Sequence, residues 1–384
     1  MTLNDMQDEP NHISNQVIPI VYATNDVFAK YMSVAIISLL NNADKSLFYD
    51  IYILYDVLHK DTVKKILRIE QSYKYCKINF VNVKEYIRSI SLYTRAHYSK
   101  EMYYRCLIPD VLKKYDKVIY LDGDIIVKSD ISKLYNEDIA DFYLAAVQNY
   151  LNKWMYDYVV KLSINPDKYF NSGVLLLNNK QLKQIDIKAK CFDYVEKYTK
   201  LACSDQDILN LICQGQVKYL NHKWNFMWQH LFLKQEFHIK EHKELFNEQK
   251  QCPYIIHYTS GTKPWNTKLL GNEFFNLWWV YAKKSPFYWQ ILRSYINIVY
   301  KNTIFSITKS TNHKIITILG VKFKRKSHYL EKIFSVKNKG IHKVVRLFGL
   351  KITFKSNKLI RKERYEILNA KLDKLTHKVD LLKK

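Results

Sequence analysis

The sequence predicts an α/β protein with a mostly parallel central sheet flanked by helices, followed by a basic C-terminal extension. Two observations carry the α/β part: β-branched and aromatic runs of strand length alternate with helical segments, and the turns between them are polar. The extension is read from charge. Residues 283–384 hold 26 Lys and Arg against 5 Asp and Glu, so +21 of the formal +25 charge lies there.

Taken in order, residues 18–23 (IPIVYA) read as a buried strand, and after the polar break TNDV residues 30–42 (KYMSVAIISLLNN) have helical apolar spacing. Residues 49–55 (YDIYILY) give a second strand, 60–73 (KDTVKKILRIEQSY) an amphipathic helix and 77–83 (KINFVNV) a third strand. A helix-like stretch over 99–114 precedes a fourth strand over 117–121. Such alternation implies βαβ units, and ligands in these sheets sit beyond the carboxyl ends of the strands.

The fourth strand runs into VIYLDGDIIV, where Asp122 and Asp124 flank Gly123. Unpaired carboxylates are costly to bury, so either solvent or a cation takes them. D-x-D spacing alone does not decide which. Three further stretches bear on it. YFNSGVLLLN (169–178) sets Asn171 and Gly173 before another apolar strand, and SDQDIL (204–209) places Asp205, Gln206 and Asp207 at the head of a helix, where acids also suit the dipole. IHYTSGTKPW (256–265) follows a strand with His257, Gly261 and Lys263, a composition suited to holding phosphate.

In order, VYATND, MYYR, YLDGDIIV, YFNSGVLLLN, SDQDIL and HYTSGTKPW resemble glycosyltransferase family 8, retaining transferases of the GT-A fold that include bacterial lipopolysaccharide galactosyl- and glucosyltransferases. The likeness runs from about Ile18 to Phe287. It implies a GT-A nucleotide-sugar-binding fold. By match, Asp122, Asp124 and His257 would bind a divalent metal, usually manganese, with magnesium as the other suitable ion. Lys263 would contact the diphosphate of a UDP-sugar donor, and Gly261 would let the loop approach it. Ala23, Thr24 and Asn25 match the stretch holding uracil and ribose, although an acid commonly stands at the position of Asn25. Arg105, Gly123 and Asn171 complete the implied donor site, with Ser172 replacing a frequent alanine and Ser260 at a position often occupied by glycine. Asp205 and Gln206 match the catalytic centre, leaving open double displacement or front-face attack.

Two other classes compete. Haloacid dehalogenase-type phosphatases also carry D-x-D after an apolar strand, but Ile126 stands where they prefer threonine or valine, and their motif usually opens the fold. A basic binding module would explain the tail. The body lacks nucleic-acid motifs, so no nucleic-acid partner is expected.

The expected organisation is a polar tail over 1–16, a catalytic domain over 17–287, a basic extension over 288–360 and a short heptad helix over 361–384. HKIITILGVKFKRK (313–326) and HKVVRLFGLKITFK (342–355) repeat at a 29-residue spacing with matched Gly320 and Gly349, which predicts a duplicated strand or hairpin. Tyr365, Leu368, Leu372, Leu375, Val379 and Leu382 form an a/d seam suited either to a dimerising coil, which would give a homo-oligomer, or to packing back on the body. The start is polar and mildly acidic, no apolar run reaches the ~18 residues of a membrane span, and six cysteines include no C-x-x-C pair. These features suit a cytoplasmic protein with reduced thiols. The basic extension suits peripheral attachment to the anionic inner face of the cytoplasmic membrane, with a lipid-linked saccharide such as lipopolysaccharide core as acceptor.

Overall fold

The computed structural model describes residues 16–88, 100–198, 201–232, 237–238, 240–267 and 272–299, and six strands between 305 and 355. The strands of the first part are β1 (Val17–Ala23), β2 (Phe48–Tyr55), β3 (Cys76–Asn82), β4 (Lys117–Leu121), β5 (Ile125–Val127), β6 (Leu144–Gln148), β7 (Phe170–Asn178), β8 (Val217–Tyr219), β9 (Phe226–Met227) and β10 (Ile255–His257). Seven of them form one sheet in the order β3-β2-β1-β4-β7-β6-β8. Its pairings are parallel except where β7 runs antiparallel between β4 and β6. A small sheet, β5-β10-β9, stands beside it.

β1 and β2 are apolar along most of their length because helices cover both faces, and all nine residues of β7 are buried. The helices Ala29–Asn42 and Lys60–Ser72 lie where spacing places them. The expected helix over 99–114 is instead a 3-10 helix, Lys100–Leu107, followed by one α-turn, Ile108–Val111. Pro109 supplies no backbone donor, which suits it to the start of that turn and not to the middle of a longer helix.

Chain order reverses between β1 and β4: β2 and β3 continue on one side and β7 on the other. The crevice beyond the carboxyl ends of β1 and β4 is therefore the place for a ligand. Ala23 ends β1 and Asp122 follows β4.

The first compact unit reaches Tyr295, past the boundary expected at 287, since Ile291 and Tyr295 of helix Tyr288–Val299 are buried. In the second unit, β11 (Phe305–Ser310), β12 (His313–Ile318) and β13 (Val321–Lys326) form one antiparallel sheet. A matching sheet is built by β14 (Phe334–Lys339), β15 (His342–Leu347) and β16 (Leu350–Lys355). The registers correspond, with Phe305 opposite Ile318 and Phe334 opposite Leu347. Each copy thus has a third strand upstream of the hairpin, and the shared Phe-Ser of FSITKS and FSVKNK is its trace in the sequence. Gly320, Gly349, residues 361–384 and residues 1–15 lie outside the described residues. Among the described residues no helix is long and apolar enough to cross a membrane.

Candidate functional site

β4 ends at Leu121 and the chain turns through Asp122-Gly123-Asp124 into β5. β5 pairs antiparallel with β10, which sets Ile125 opposite His257, and Tyr258 N–H donates to the Asp124 carbonyl at 2.9 Å. On the other side, Asp122 N–H donates to the Gly173 carbonyl at 2.8 Å, continuing the β4–β7 ladder. Two strand pairings therefore bring three sequence-distant segments together.

The side chains converge. His257 Nε2 lies 3.2 Å from Asp124 Oδ1 and 3.6 Å from Asp122 Oδ2, and one donor atom from each residue falls within 4.8 Å of the others. The remaining oxygens face elsewhere. Asp122 Oδ1 accepts from Tyr120 Oη at 2.8 Å and from Arg105 Nη2 at 2.9 Å, while Asp124 Oδ2 pairs with Lys263 Nζ. Two carboxylate oxygens and one imidazole nitrogen thus point at a common spot, a donor set suited to a divalent ion such as Mn2+ or Mg2+. Gly173 makes the convergence possible. A Cβ there would stand 2.2 Å from His257 Cε1 and 2.6 Å from Asp122 Oδ2.

The acids' charges are partly answered by the protein. Arg105, itself buried, pairs with Asp122 and lies 3.1 Å from Asp205 Oδ2, with its Cζ 4.4 Å from the Tyr120 ring centre. Burial would lower its pKa, but the two aspartates hold it above the ordinary value. Burial would likewise raise Asp124, yet Lys263 and His257 hold it well below the usual carboxylate range. Asp205 goes the other way: burial outweighs Arg105 and pushes it up to about 6. Three carboxylates face two fixed cations, so cationic charge is still favoured here.

Asp205 and Gln206 open the helix Ser204–Cys213. Ser172 Oγ donates to Asp205 Oδ2 at 3.0 Å. Gln206 Oε1 accepts from Asn171 Nδ2 at 3.0 Å and Ser172 N–H at 3.2 Å, and its Nε2 donates to Tyr169 Oη at 2.9 Å.

All thirteen residues to which the resemblance gave metal, donor or catalytic roles line one cavity of about 570 Å3. The structure also shows what several of them touch. The side chain of Asn25 is committed locally: Oδ1 accepts from Val27 and Phe28 N–H, each at 3.0 Å, and Nδ2 donates to Glu101 Oε2 at 3.1 Å. Arg105 spans two acids. Lys263 pairs with Asp124 and with the Tyr258 carbonyl. Gly261 has open space where a Cβ would stand, and the left-handed backbone of that loop belongs to Ser260, at φ 70°. The loop is pinned by Trp228 Nε1 to the Thr262 carbonyl at 2.9 Å and by Trp265 stacked 4.1 Å from Tyr31. Glu101, Tyr120, Asn225 and the packing role of Gly173 were missed. Tyr120 and Gly173 lie within recognised motifs and Glu101 directly precedes one, but nothing local marks Asn225.

The profile of Glycosyl transferase family 8 matches residues 19–268. Among curated proteins, General stress protein A of Bacillus subtilis is 29% identical over 265 residues, 66% of this chain and 89% of that protein. The Lipopolysaccharide 1,2-glucosyltransferase of Escherichia coli is 26% identical over 264 residues, 66% of this chain and 74% of its own. Among solved structures, the galactosyltransferase LgtC in complex with donor and acceptor sugar analogues matches with TM-score 0.56 and 26% identity, covering 68% of this chain and 95% of that one. An active-site variant of LgtC with glutamine replaced by glutamate matches with TM-score 0.59 and 25% identity over 70% and 96%. The chain spans 53% of the bifunctional transferase WbbM, at TM-score 0.62 and 25% identity over 76% of this chain.

Proposed function

Since the chain belongs to glycosyl transferase family 8, we propose that it moves a hexose, glucose or galactose, from a UDP-sugar to a saccharide acceptor with retention of configuration. Mn2+ or Mg2+ would be held by Asp122, Asp124 and His257. The observation that carries this reading is the convergence of those three side chains on the wall of a cavity that also exposes Lys263, Arg105 and the end of β1. When bound, the ion supplies counter-charge to the diphosphate as its bond to the sugar breaks.

The chain's own residues divide the work by position. The Ala23–Asn25 backbone, with the Glu101 carboxylate beside it, faces the base and ribose. Lys263 offers its ammonium to the diphosphate, and Arg105 keeps Asp122 and Asp205 in place. Gln206 Oε1 already accepts two hydrogen bonds, which leaves it poorly suited to attack an anomeric carbon. A front-face route, in which the acceptor hydroxyl passes its proton to the departing phosphate oxygen, asks only that Gln206 and Asn171 hold the sugar. LgtC has an active-site glutamine, the residue changed to glutamate in its variant, which is in keeping with a role for Gln206 at this centre.

The test is to give the full-length protein and Mn2+ a panel of nucleotide sugars and identify products by mass spectrometry, with the anomer of released hexose read by NMR. UDP and an α-configured hexose from an α-linked UDP-hexose are expected. Consumption of no nucleotide sugar, with hydrolysis of phosphomonoesters, would favour the phosphohydrolase class instead.

The lipopolysaccharide enzyme among the relatives supports a surface glycan, such as lipopolysaccharide core, as acceptor. A lipid-linked acceptor fits the basic tail, since each Lys or Arg near an anionic bilayer contributes about 1 kcal/mol at most and is screened by salt. Protein ending at Val299 should keep UDP-sugar turnover and lose flotation with anionic vesicles, with neutral vesicles carrying neither form. Equal flotation of the two forms contradicts the membrane role.

A further inference from the structure

We propose that Asn225 is a positioning residue for His257, fixing the imidazole as the tautomer protonated at Nδ1 so that Nε2 presents a lone pair to the spot shared with Asp122 and Asp124. The inference rests on the metal reading above but concerns a residue outside the donor set.

The argument starts from backbone donors, whose polarity is fixed. Gly173 N–H donates to Asn171 Oδ1 at 3.0 Å, which places the Asn171 nitrogen on the opposite side. That nitrogen meets Gln206 Oε1 at 3.0 Å, and the orientation of Gln206 is set independently by Ser172 N–H at 3.2 Å. The two assignments agree. Asn225 approaches Asn171 Oδ1 at 2.8 Å, and an oxygen already accepting from Gly173 calls for a donor, so the atom facing it is Nδ2. Asn225 Oδ1 must then be the atom 3.0 Å from His257 Nδ1. A carbonyl oxygen donates nothing, so a proton is fixed at Nδ1, and Nε2 is the nitrogen left to offer a lone pair when the ion is bound. Asn225 is fully buried and His257 nearly so, which leaves no water to substitute for either bond.

The other end is anchored too. Gln206 Nε2 donates to Tyr169 Oη, which donates to Asp207 Oδ1 at 2.5 Å, and Asp207 is fully buried. One run of hydrogen bonds thus joins the ring at the proposed metal spot to the amide at the proposed sugar spot. Outer partners of this kind orient a ligating histidine and usually change metal affinity about 10–100-fold when removed.

The test uses the full-length protein labelled with 15N-histidine, with His257 signals assigned by their loss in His257→Gln. Two-bond 1H–15N spectra read the tautomer, and titration followed by the EPR of free Mn2+ reads affinity. Wild type should show a protonated Nδ1. Asn225→Leu, which keeps the branched outline but removes acceptor and donor, should lose that tautomer and bind Mn2+ about 10–100-fold more weakly. Asn225→Asp keeps an acceptor for Nδ1 and should retain the tautomer and most of the affinity. An unchanged tautomer and affinity in Asn225→Leu would overturn the proposal. So would a wild-type ring that carries no proton at Nδ1. If Asn225→Leu does not fold, Asn225→Asp decides, and loss of the tautomer there counts against the proposal. Should wild type bind neither Mn2+ nor Mg2+, the metal reading fails, and the wild-type and Asn225→Leu spectra alone judge the hold of Asn225 on His257.

Discussion

Asp124→Asn and Asp122→Asn should each lower UDP-sugar turnover by at least about 10²-fold, the scale of loss when one element of charge stabilisation at a reacting centre is removed. The physical reason is specific to the inner oxygens. Asp122 Oδ2 and Asp124 Oδ1 are the atoms turned toward His257 Nε2, and an amide at either position keeps the shape while removing a charge from the donor set. The fold should survive both changes. Arg105 retains Asp205 when Asp122 becomes neutral, and Lys263 retains the Tyr258 carbonyl when Asp124 does. Turnover measured with Mn2+ beside a thermal melt separates the two effects. Wild-type rates in both variants would remove Asp122 and Asp124 from the site.

Gly173→Ala should be nearly as damaging, although Gly173 has no side chain to lose. The added methyl would lie 2.2 Å from His257 Cε1 and 2.6 Å from Asp122 Oδ2, distances at which something must move. Neither neighbour has slack. The His257 ring is held by Asn225 and its backbone by β5, while Asp122 is tied to Tyr120 and Arg105. The loss should therefore appear at the metal: Mn2+ affinity falling at least about tenfold, because a ligating ring and its carboxylate partner are both displaced. Overpacking of this kind costs about 1–3 kcal/mol in stability, which a thermal melt detects and a stable enzyme survives. Gly173→Ala that binds Mn2+ and turns over like wild type would show that the convergence of His257 and Asp122 is incidental.

The sequence was legible where the physics is local. Periodicity located β1 to β4 and the helices Ala29–Asn42 and Lys60–Ser72, because each element buries a continuous apolar face. It misjudged 99–114, where Pro109 interrupts a run whose apolar spacing suits a helix. At the site, motifs marked the residues lining the cavity but not what most of them touch. Arg105 was expected at the donor, but its burial and its two aspartates are visible only in three dimensions. Asn25 carries a turn through Val27 and Phe28, a role its neighbours hint at since Asn commonly bonds backbone two residues on. Ser260, not Gly261, adopts the left-handed conformation, which composition alone would have assigned to the glycine. Asn225 was out of reach, because its partners Asn171 and His257 arrive from β7 and β10.

The most direct test of the whole account is UDP release by the full-length protein from UDP-glucose and UDP-galactose, first with Mn2+, then with excess EDTA, then with Mn2+ restored. The account predicts release from at least one donor, loss under chelation and recovery on re-addition, with Asp124→Asn inactive throughout. Release that continues unchanged in EDTA, or that Asp124→Asn supports at the wild-type rate, would contradict a metal-dependent nucleotide-sugar site built on Asp122, Asp124 and His257.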